Sequence, residues 1–277
     1  MTHQRKATES RSYEEVLPQF TRSQGFADTL VRRLAHVGVL SHGAKVVEIG
    51  CAQGALAVCL SKRGFNVIGI EPWAEARQVA LRLAKHEECV LDIRNGTAES
   101  IPLADKSCDL VVASNVIEHV LDVEAAFGEV FRILKPSGVF WFSAASSVCP
   151  RQKEIDGFPL FPWYPNAFKL RIMDWAKRKK PHLVGHTKTP AINWFTALKA
   201  RRMLRRAGFA RVYDRWDLRL LSEGGWAYRV ALRVIRLCYF TRLCADFVCE
   251  GCAYAALKPA NVERPSCSLH ADHEPRS

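Results

Sequence analysis

The sequence predicts an α/β protein with a doubly wound, mostly parallel sheet that carries helices on both faces. Short β-branched runs alternate with stretches of helical period between residues 45 and 143. The 277 residues are 48% hydrophobic and 25% charged, a composition typical of a globular protein that buries a substantial core unaided. Neither a bilayer-spanning apolar run nor an N-terminal apolar segment is evident. We therefore expect a cytoplasmic protein, with peripheral membrane contact left open.

Each element before residue 146 is predicted from its periodicity and from the residue that ends it. Helices have apolar residues every three to four positions, as from Val16 to Leu34, and strands are apolar runs closed by turn residues, as at Gly50. Gly64 stands where the cap of a helix over 55–63 belongs. In chain order we predict a helix over 13–40, strand 45–50, helix 55–63, strand 66–70, helix 73–86, strand 89–93, strand 109–114, helix 123–134 and strand 138–143.

After residue 146 the strand–helix alternation is interrupted. Residues 158–165 are rich in aromatics and prolines, which predicts an irregular insertion, and a helix over 194–207 and a strand over 210–216 then return to the sheet. The predicted organisation is an N-terminal polar and helical extension (1–24), a ligand-binding core (25–146), a substrate-covering insertion (147–190), the remainder of the domain (191–262) with an apolar, arginine-bearing helix at 225–248, and a flexible tail (263–277).

The charge is concentrated in one segment. The chain carries a formal net charge of +12, and residues 168–219 alone hold 15 Lys and Arg against three Asp. Such a segment attracts nucleic acid, anionic lipid or an acidic small molecule, or it is simply a solvated face. The ten cysteines are scattered and predict free thiols in a reducing compartment. Cys244, Cys249 and Cys252 lie in a helix-like apolar stretch, so we predict no metal site.

The most specific motif joins a strand end to a helix through glycines. Glu48 precedes the turn from Gly50 to Gly54, and Glu71 ends the next predicted strand. Glycine permits the turn and a close approach of ligand, and an acid at the second strand end is placed to bind a ribose diol. The turn does not match the G-x-G-x-x-G phosphate cradle of a dinucleotide dehydrogenase, and Glu48 would repel a pyrophosphate. The pattern favours a nucleoside with a cationic centre.

Further motifs occur in a recognisable order. After the stretch Val46-Val47-Glu48-Ile49-Gly50-Cys51-Ala52-Gln53-Gly54 come Asn95-Gly96-Thr97-Ala98-Glu99-Ser100-Ile101-Pro102-Leu103, the run from Cys108 to Val120, and Leu134-Lys135-Pro136-Ser137-Gly138. This set resembles the class I S-adenosylmethionine-dependent methyltransferases, in particular the methyltransferase type 11 branch that includes ubiquinone-biosynthesis enzymes. The resemblance implies a Rossmann-like, seven-stranded sheet and S-adenosyl-L-methionine as the cofactor.

The resemblance also implies roles for particular residues. Gly50, Cys51 and Gly54 would form the turn beneath the methionine part of the cofactor, with Glu48 near its amino group and Glu71 on the ribose hydroxyls. Thr97 and Ala98 would border the adenine, and Asn115 would lie near the methionine end. Two positions depart from the family pattern: Ala52 replaces a common glycine, and Thr97 replaces an aspartate that contacts the adenine amino group. We expect weaker or backbone-mediated adenine recognition.

Methyl transfer needs an aligned acceptor and exclusion of water, and an O-methyltransferase also benefits from a base. His119 and His186 are the candidate bases, although His119 suits simple packing at a helix start equally well. We expect a small, apolar or lipid-linked acceptor covered by residues 158–186, since this segment is aromatic. The alternatives are an RNA-modifying methyltransferase that uses residues 168–219, for which no RNA-binding module is evident, and a non-catalytic cofactor-binding member. The oligomeric state is not predicted.

Overall fold

The computed structural model describes residues 13–38, 40–152, 155–184 and 191–260. Within them nine α-helices and seven strands follow in this order: α1 (Tyr13–Leu34), β1 (Lys45–Ile49), α2 (Ala55–Ser61), β2 (Asn66–Ile70), α3 (Ala74–His86), β3 (Asp92–Arg94), β4 (Cys108–Ser114), α4 (Val123–Ile133), β5 (Leu134–Ala144), α5 (Asn166–Lys179), α6 (Ala197–Arg206), β6 (Arg211–Asp214), α7 (Arg215–Leu218), α8 (Trp226–Arg236), α9 (Tyr239–Val248) and β7 (Cys252–Leu257). The predicted tail at 263–277 and the first half of the predicted extension, residues 1–12, lie outside the described residues.

The strands form one sheet in the order β3-β2-β1-β4-β5-β7-β6. Neighbours from β3 to β5 are parallel, and β7 is antiparallel to both β5 and β6. The predicted doubly wound, mostly parallel and seven-stranded sheet is therefore confirmed. Because β7 reverses direction, β6 runs the same way as β5, and the carboxyl ends of all the other strands meet at one edge, which we call the carboxyl edge.

Alternating strand residues feed two hydrophobic cores, one on each face of the sheet. Val47 and Phe140 belong to the core that packs against α4 and α6, whereas Val46 and Trp141 belong to the core beneath α1, α2 and α3. Burial on both faces explains why these strands appear in the sequence as nearly continuous apolar runs.

The C-terminal third corrects three predictions. Residues 252–257 form β7, which was not predicted, so Cys252 lies in a strand and not in a helix. The single helix predicted at 225–248 is two helices, α8 and α9, separated at residues 237–238. Helical spacing predicts Arg236 on one stripe with Arg229 and Arg233, but its side chain turns inward and donates hydrogen bonds to backbone carbonyls. Those carbonyls belong to Trp216 in α7 and to Arg219 directly after it, and the sequence has no signal for their proximity.

The insertion between β5 and α6 has its own small core. Residues 158–165 are irregular as predicted, and α5 follows them. Lys169 on α5 is buried, its ammonium lies 3.6 Å from the centre of the Trp194 ring, and it donates to the Pro162 carbonyl at 3.0 Å. Burial lowers the pKa of Lys169 to about 8. The ring of Trp194 thus ties the insertion to the segment that leads into α6.

Candidate active site

The turn after β1 is held against β2 by the backbone. The carbonyl of Ile70 accepts hydrogen bonds from the N–H groups of Gly50 at 2.7 Å and Cys51 at 3.2 Å. Gly50, Ala52 and Gly54 have φ angles of 66°, 48° and 79°, in the left-handed region. Glycine adopts this region freely, whereas an alanine there has a conformational cost, so Ala52 is a strained position of the turn.

Two glycines of this turn are required by close contacts as well as by backbone angle. A Cβ atom on Gly54 would lie 2.7 Å from the Cβ of Ala80 on α3, and one on Gly50 would lie 2.5 Å from the side chain of Val116. Cys51 packs in the same way over Gly69, whose absent Cβ would lie 2.6 Å from the Cys51 sulfur. The turn is therefore fitted closely between β2, α3 and the loop after β4.

Glu71 is held by two backbone donors at the carboxyl edge. Its carboxylate accepts hydrogen bonds from the N–H of Ala52 at 2.9 Å and from the N–H of Trp73 at 3.1 Å, one on each oxygen. The guanidinium of Arg77 donates to the Glu71 carbonyl at 2.8 Å and to Asn95 at 3.1 Å. The side chain of Glu71 is thus oriented, and each oxygen keeps acceptor capacity for a further donor.

Glu48 is a buried acid on β1. Strand alternation places it on the same face as Val46, toward α2, and its Oε2 atom has no hydrogen-bond partner among the described residues. Burial raises the pKa of Glu48 to about 8; a hydrogen bond from the Ala57 backbone opposes this rise, and the nearby charge of Glu71 adds to it. A buried carboxyl with an unpaired oxygen suits a cationic donor, since such a partner would restore the charged form.

Glu48 makes the stability of the chain without added cofactor depend on pH. Between about 4.5, its ordinary pKa, and about 8 the folded chain holds a proton that the unfolded chain has released, so stability falls as pH rises. We expect Glu48→Gln, which mimics the protonated acid, to raise the unfolding free energy by about 3 kcal/mol at pH 7 and hardly at all at pH 4. Urea denaturation at the two pH values measures this difference. Equal effects at both would contradict the assignment.

The segment predicted to border the adenine lies beyond β3. Thr97 is exposed, and its backbone N–H and carbonyl both bond to Ser100, each at 3.3 Å. Ala98 is buried in the core that contains Ile70. The Thr97 N–H is therefore already paired with Ser100, and the exposed part of this residue is its side chain.

Asn115 directly follows β4 in the left-handed backbone region, and β5 supports it there. Its φ is 54°, its N–H bonds to the Ser143 carbonyl and hydroxyl, and the Ser143 hydroxyl donates to Asn115 Oδ1 at 3.1 Å. Sequence reasoning missed Ser143, which lies 28 residues further along the chain. Only the parallel pairing of Ser114 with Ser143 brings it here, and no local motif marks it.

Of the two candidate bases, only His119 lies among the described residues. His119 ends a short 3-10 turn over Ile117–His119, four residues beyond Asn115 in sequence, and its Nδ1 atom is enclosed without a hydrogen-bond partner among the described residues. His186 lies outside the described residues. In the part of the chain that the structure describes, no cluster of three His, Cys, Asp or Glu side chains that could hold a metal ion is found.

Comparison with known proteins identifies the motif-bearing segment. The family model of the methyltransferase domain matches residues 47–142. A ubiquinone biosynthesis O-methyltransferase of Rhodopseudomonas palustris is 37% identical over 97 residues, which are 35% of this chain and 38% of the relative. The enzyme of the same name from Actinobacillus pleuropneumoniae is 32% identical over 106 residues, 36% of this chain and 45% of the relative. The chain thus matches less than half of these relatives' length.

A solved structure reproduces the fold. The phosphoethanolamine N-methyltransferase 2 of Haemonchus contortus, determined in complex with S-adenosyl-L-methionine, superposes with a TM-score of 0.53 at 16% identity, over 84% of this chain and 52% of that one. At this identity the likeness concerns the fold alone. Residues 47–142 thus match the methyltransferase domain family, and this segment is similar to ubiquinone biosynthesis O-methyltransferases.

Proposed function

We propose that the chain binds S-adenosyl-L-methionine at the carboxyl edge and transfers its methyl group to a small acceptor. The pair of acids that flanks the glycine turn carries this proposal: Glu71, oriented by two backbone N–H groups, and Glu48, buried with one oxygen that no described residue pairs. Glu71 would accept hydrogen bonds from the ribose hydroxyls, and Glu48 would lie nearest the amino group. The turn residues would support the methionine part, Thr97 and Ala98 the adenine, and Asn115 the methionine end.

The cofactor, when bound, supplies an electrophilic methyl group, so the chain needs only to align an acceptor and exclude water. Asn115, whose backbone N–H and side chain are both held by Ser143, offers a preorganised polar group beside the methionine end. His119 is the proposed base for a hydroxyl acceptor, because its ring has an enclosed nitrogen without a described partner. An amine or a stabilised carbanion would need less help from a base.

We favour an apolar, small or lipid-linked acceptor. The insertion at the carboxyl edge is built around Phe161, Trp194 and other aromatic side chains. The name of the Rhodopseudomonas palustris relative, a ubiquinone biosynthesis O-methyltransferase, agrees with this class of acceptor.

RNA is a less favoured acceptor, because part of the basic segment is used inside the fold. Arg201 pairs with Asp214, and Arg215 donates to the Gly251 carbonyl at 2.7 Å. Lys169 is buried, and Lys199 donates to the Trp194 carbonyl. Since these cations are held by protein groups, residues 168–219 do not present all their charge to a phosphate backbone. The second alternative, a non-catalytic member, is less favoured because Ala52, with a φ of 48°, still adopts the left-handed conformation that a glycine would take at this position.

Two measurements test the proposed function. We expect calorimetric titration of the full chain with S-adenosyl-L-methionine to show one saturable site. We also expect incubation of the chain and methyl-labelled cofactor with a cell lysate, followed by separation into lipid, RNA and small-molecule pools, to label the lipid or small-molecule pool. Label in the RNA pool alone would establish the RNA alternative. Saturable binding without label in any pool would establish the non-catalytic one.

A further inference from the structure

Helices α8 and α9 present an unusually apolar surface, which we call the α8–α9 face. Along α8 and into the break after it, Trp226, Val230, Val234 and Leu237 follow helical spacing on one side. All are exposed, Trp226 to 79% and Leu237 to 76%. On α9 the exposed residues Phe240, Phe247 and Val248 continue the pattern, and among all residues of both helices only Leu232 is buried. Isolated exposed apolar residues are ordinary, but a continuous series marks an interaction surface.

Arginines are interleaved with these apolar residues, and acids are not. Arg229 and Arg233 are exposed and share the solvent side of α8 with Trp226 and Val230, at offsets of three and four positions. No Asp or Glu occurs in α8, and the single acid of α9, Asp246, accepts a hydrogen bond from the Trp216 indole at 2.8 Å. The α8–α9 face is therefore apolar and cationic together.

The exposed α8–α9 face belongs to two helices that are fixed to the domain by their inner side. Arg236 donates to the carbonyls of Trp216, Asp217 and Arg219, at 2.6 to 3.2 Å. Arg242 forms ion pairs with Asp214 and with Asp217. Charged hydrogen bonds of this kind hold both helices on the domain through their inner side, so the outer side stays uncovered in a defined orientation.

The α9 end of the α8–α9 face lies at the carboxyl edge of the sheet, where the candidate active site also lies, whereas the start of α8 is near the end of α1, because Glu223 pairs with Arg33. Both helices belong to the connection that leaves the carboxyl end of β6, at Asp214, and enters β7 at Cys252, which pairs with Ala144 at the carboxyl end of β5. The face also reaches the insertion, because the rings of Trp163 and Phe247 lie 6.0 Å apart between centres. A body that covered the face would therefore sit beside the edge at which the acceptor is proposed to enter.

We propose that the α8–α9 face docks the protein on a bilayer that contains anionic phospholipid, with the apolar series in the interface and Arg229 and Arg233 at lipid phosphates. Basic amphipathic helices with Trp and Phe on the apolar side have the chemistry of this mode of binding. A second copy of the chain fits less well, because a symmetric contact would bring these arginines against arginines without an acid to pair them. The proposed docking is argued from the residues of the α8–α9 face and does not depend on the proposed function. Only the delivery of a lipid-linked acceptor rests on the proposed function.

Vesicle flotation of the full chain tests the docking, with vesicles of phosphatidylcholine alone and of phosphatidylcholine mixed with phosphatidylglycerol. We expect clear preference for the anionic vesicles. Arg229→Gln with Arg233→Gln should weaken that binding about 25-fold, since each basic residue near an anionic surface contributes about fivefold. Trp226→Ser with Leu237→Ser should weaken it at least about tenfold, through lost apolar burial.

Matched controls change the same chemistry elsewhere. The double variant Arg82→Gln with Lys85→Gln removes two exposed charges from α3. Val90→Ser removes a 93% exposed apolar residue just before β3, which is the outermost strand on the side of the sheet away from β6. Both controls should float like the parent protein. Loss of binding in the controls to the same extent, or no binding of the parent to anionic vesicles, overturns the docking. If the parent protein sediments as a dimer without lipid, and the double variant Trp226→Ser with Leu237→Ser sediments as a monomer, the face is assigned to a second copy instead.

The failure of docking is distinguishable from the failure of the proposed function. Calorimetric titration with S-adenosyl-L-methionine reports on the acids and the glycine turn, and none of the docking variants changes those residues. We expect all of them to bind the cofactor like the parent and to unfold at the same temperature. Cofactor binding without flotation would reject only the docking, and flotation without cofactor binding would reject only the proposed function.

Discussion

Replacement of Glu71 by alanine is expected to lower the affinity for S-adenosyl-L-methionine by at least about 100-fold. The carboxylate would accept two hydrogen bonds from the ribose diol, and hydrogen bonds to a charged group contribute about 1.5–3 kcal/mol each, which together correspond to a factor on the order of 10²–10⁴. Glu71→Gln should lose much of the affinity too, because its amide NH₂ would face one of the two N–H groups that now donate to the carboxylate. Calorimetric titration measures both variants.

Glu75 supplies the control for Glu71. It is an exposed acid in the first turn of α3, four residues from Glu71, and the hydrogen bonds that hold the glycine turn and Glu71 among the described residues do not involve it. Glu75→Ala should bind the cofactor with the affinity of the parent protein. Circular dichroism before each titration gives the folded fraction, because Glu71→Ala also leaves the N–H groups of Ala52 and Trp73 without their acceptor. A folded Glu71→Ala that binds like the parent would remove Glu71 from the site.

Gly54→Ala is expected to lower the unfolding free energy by about 2–5 kcal/mol. An L-residue at a φ of 79° costs about 1–2 kcal/mol, and a methyl group 2.7 Å from the Cβ of Ala80 adds an overpacking cost of about 1–3 kcal/mol. The contact is with a short side chain next to its own backbone, so α3 itself must move to relieve it. Urea denaturation measures the change.

Gly43→Ala separates the two causes. Gly43 has the same φ of 79°, and its added methyl group would meet no heavy atom within 4 Å. This variant should therefore lose only the conformational part, about 1–2 kcal/mol. If the two alanine variants lost the same free energy of unfolding, the close contact between Gly54 and α3 would not contribute to stability. The close fit of the turn against α3 would then be wrong.

The strand–helix order through residue 144 could be predicted from the sequence because each element there carries its own signal. Buried parallel strands are continuous apolar runs, and turn residues such as Gly50 and Gly64 end the elements that precede them. The acids Glu48 and Glu71 could be placed near each other on the same basis, since adjacent parallel strands end at one edge. Their burial and hydrogen bonds could not.

The C-terminal third was harder to predict because its sequence patterns fit helices and strands equally well. The run over 252–257 is made of Cys, Ala, Tyr and Leu, which are as common in helices as in strands, and it becomes β7 by pairing with β5 and β6. The apolar stretch at 225–248 predicts one helix, since no local residue signals the break at 237–238. There, the Thr241 hydroxyl accepts from the Cys238 N–H and donates to backbone carbonyls.

The sequence alone determined the doubly wound sheet, the glycine turn and the two acids beside it, because periodicity and turn chemistry act over neighbouring residues. Only the tertiary structure decided that Ser143 supports Asn115, that Glu48 keeps an unpaired oxygen, and which arginines of α8 face outward. Those facts depend on contacts between residues far apart in the chain, and such contacts come into existence only when the strands pair and the helices pack.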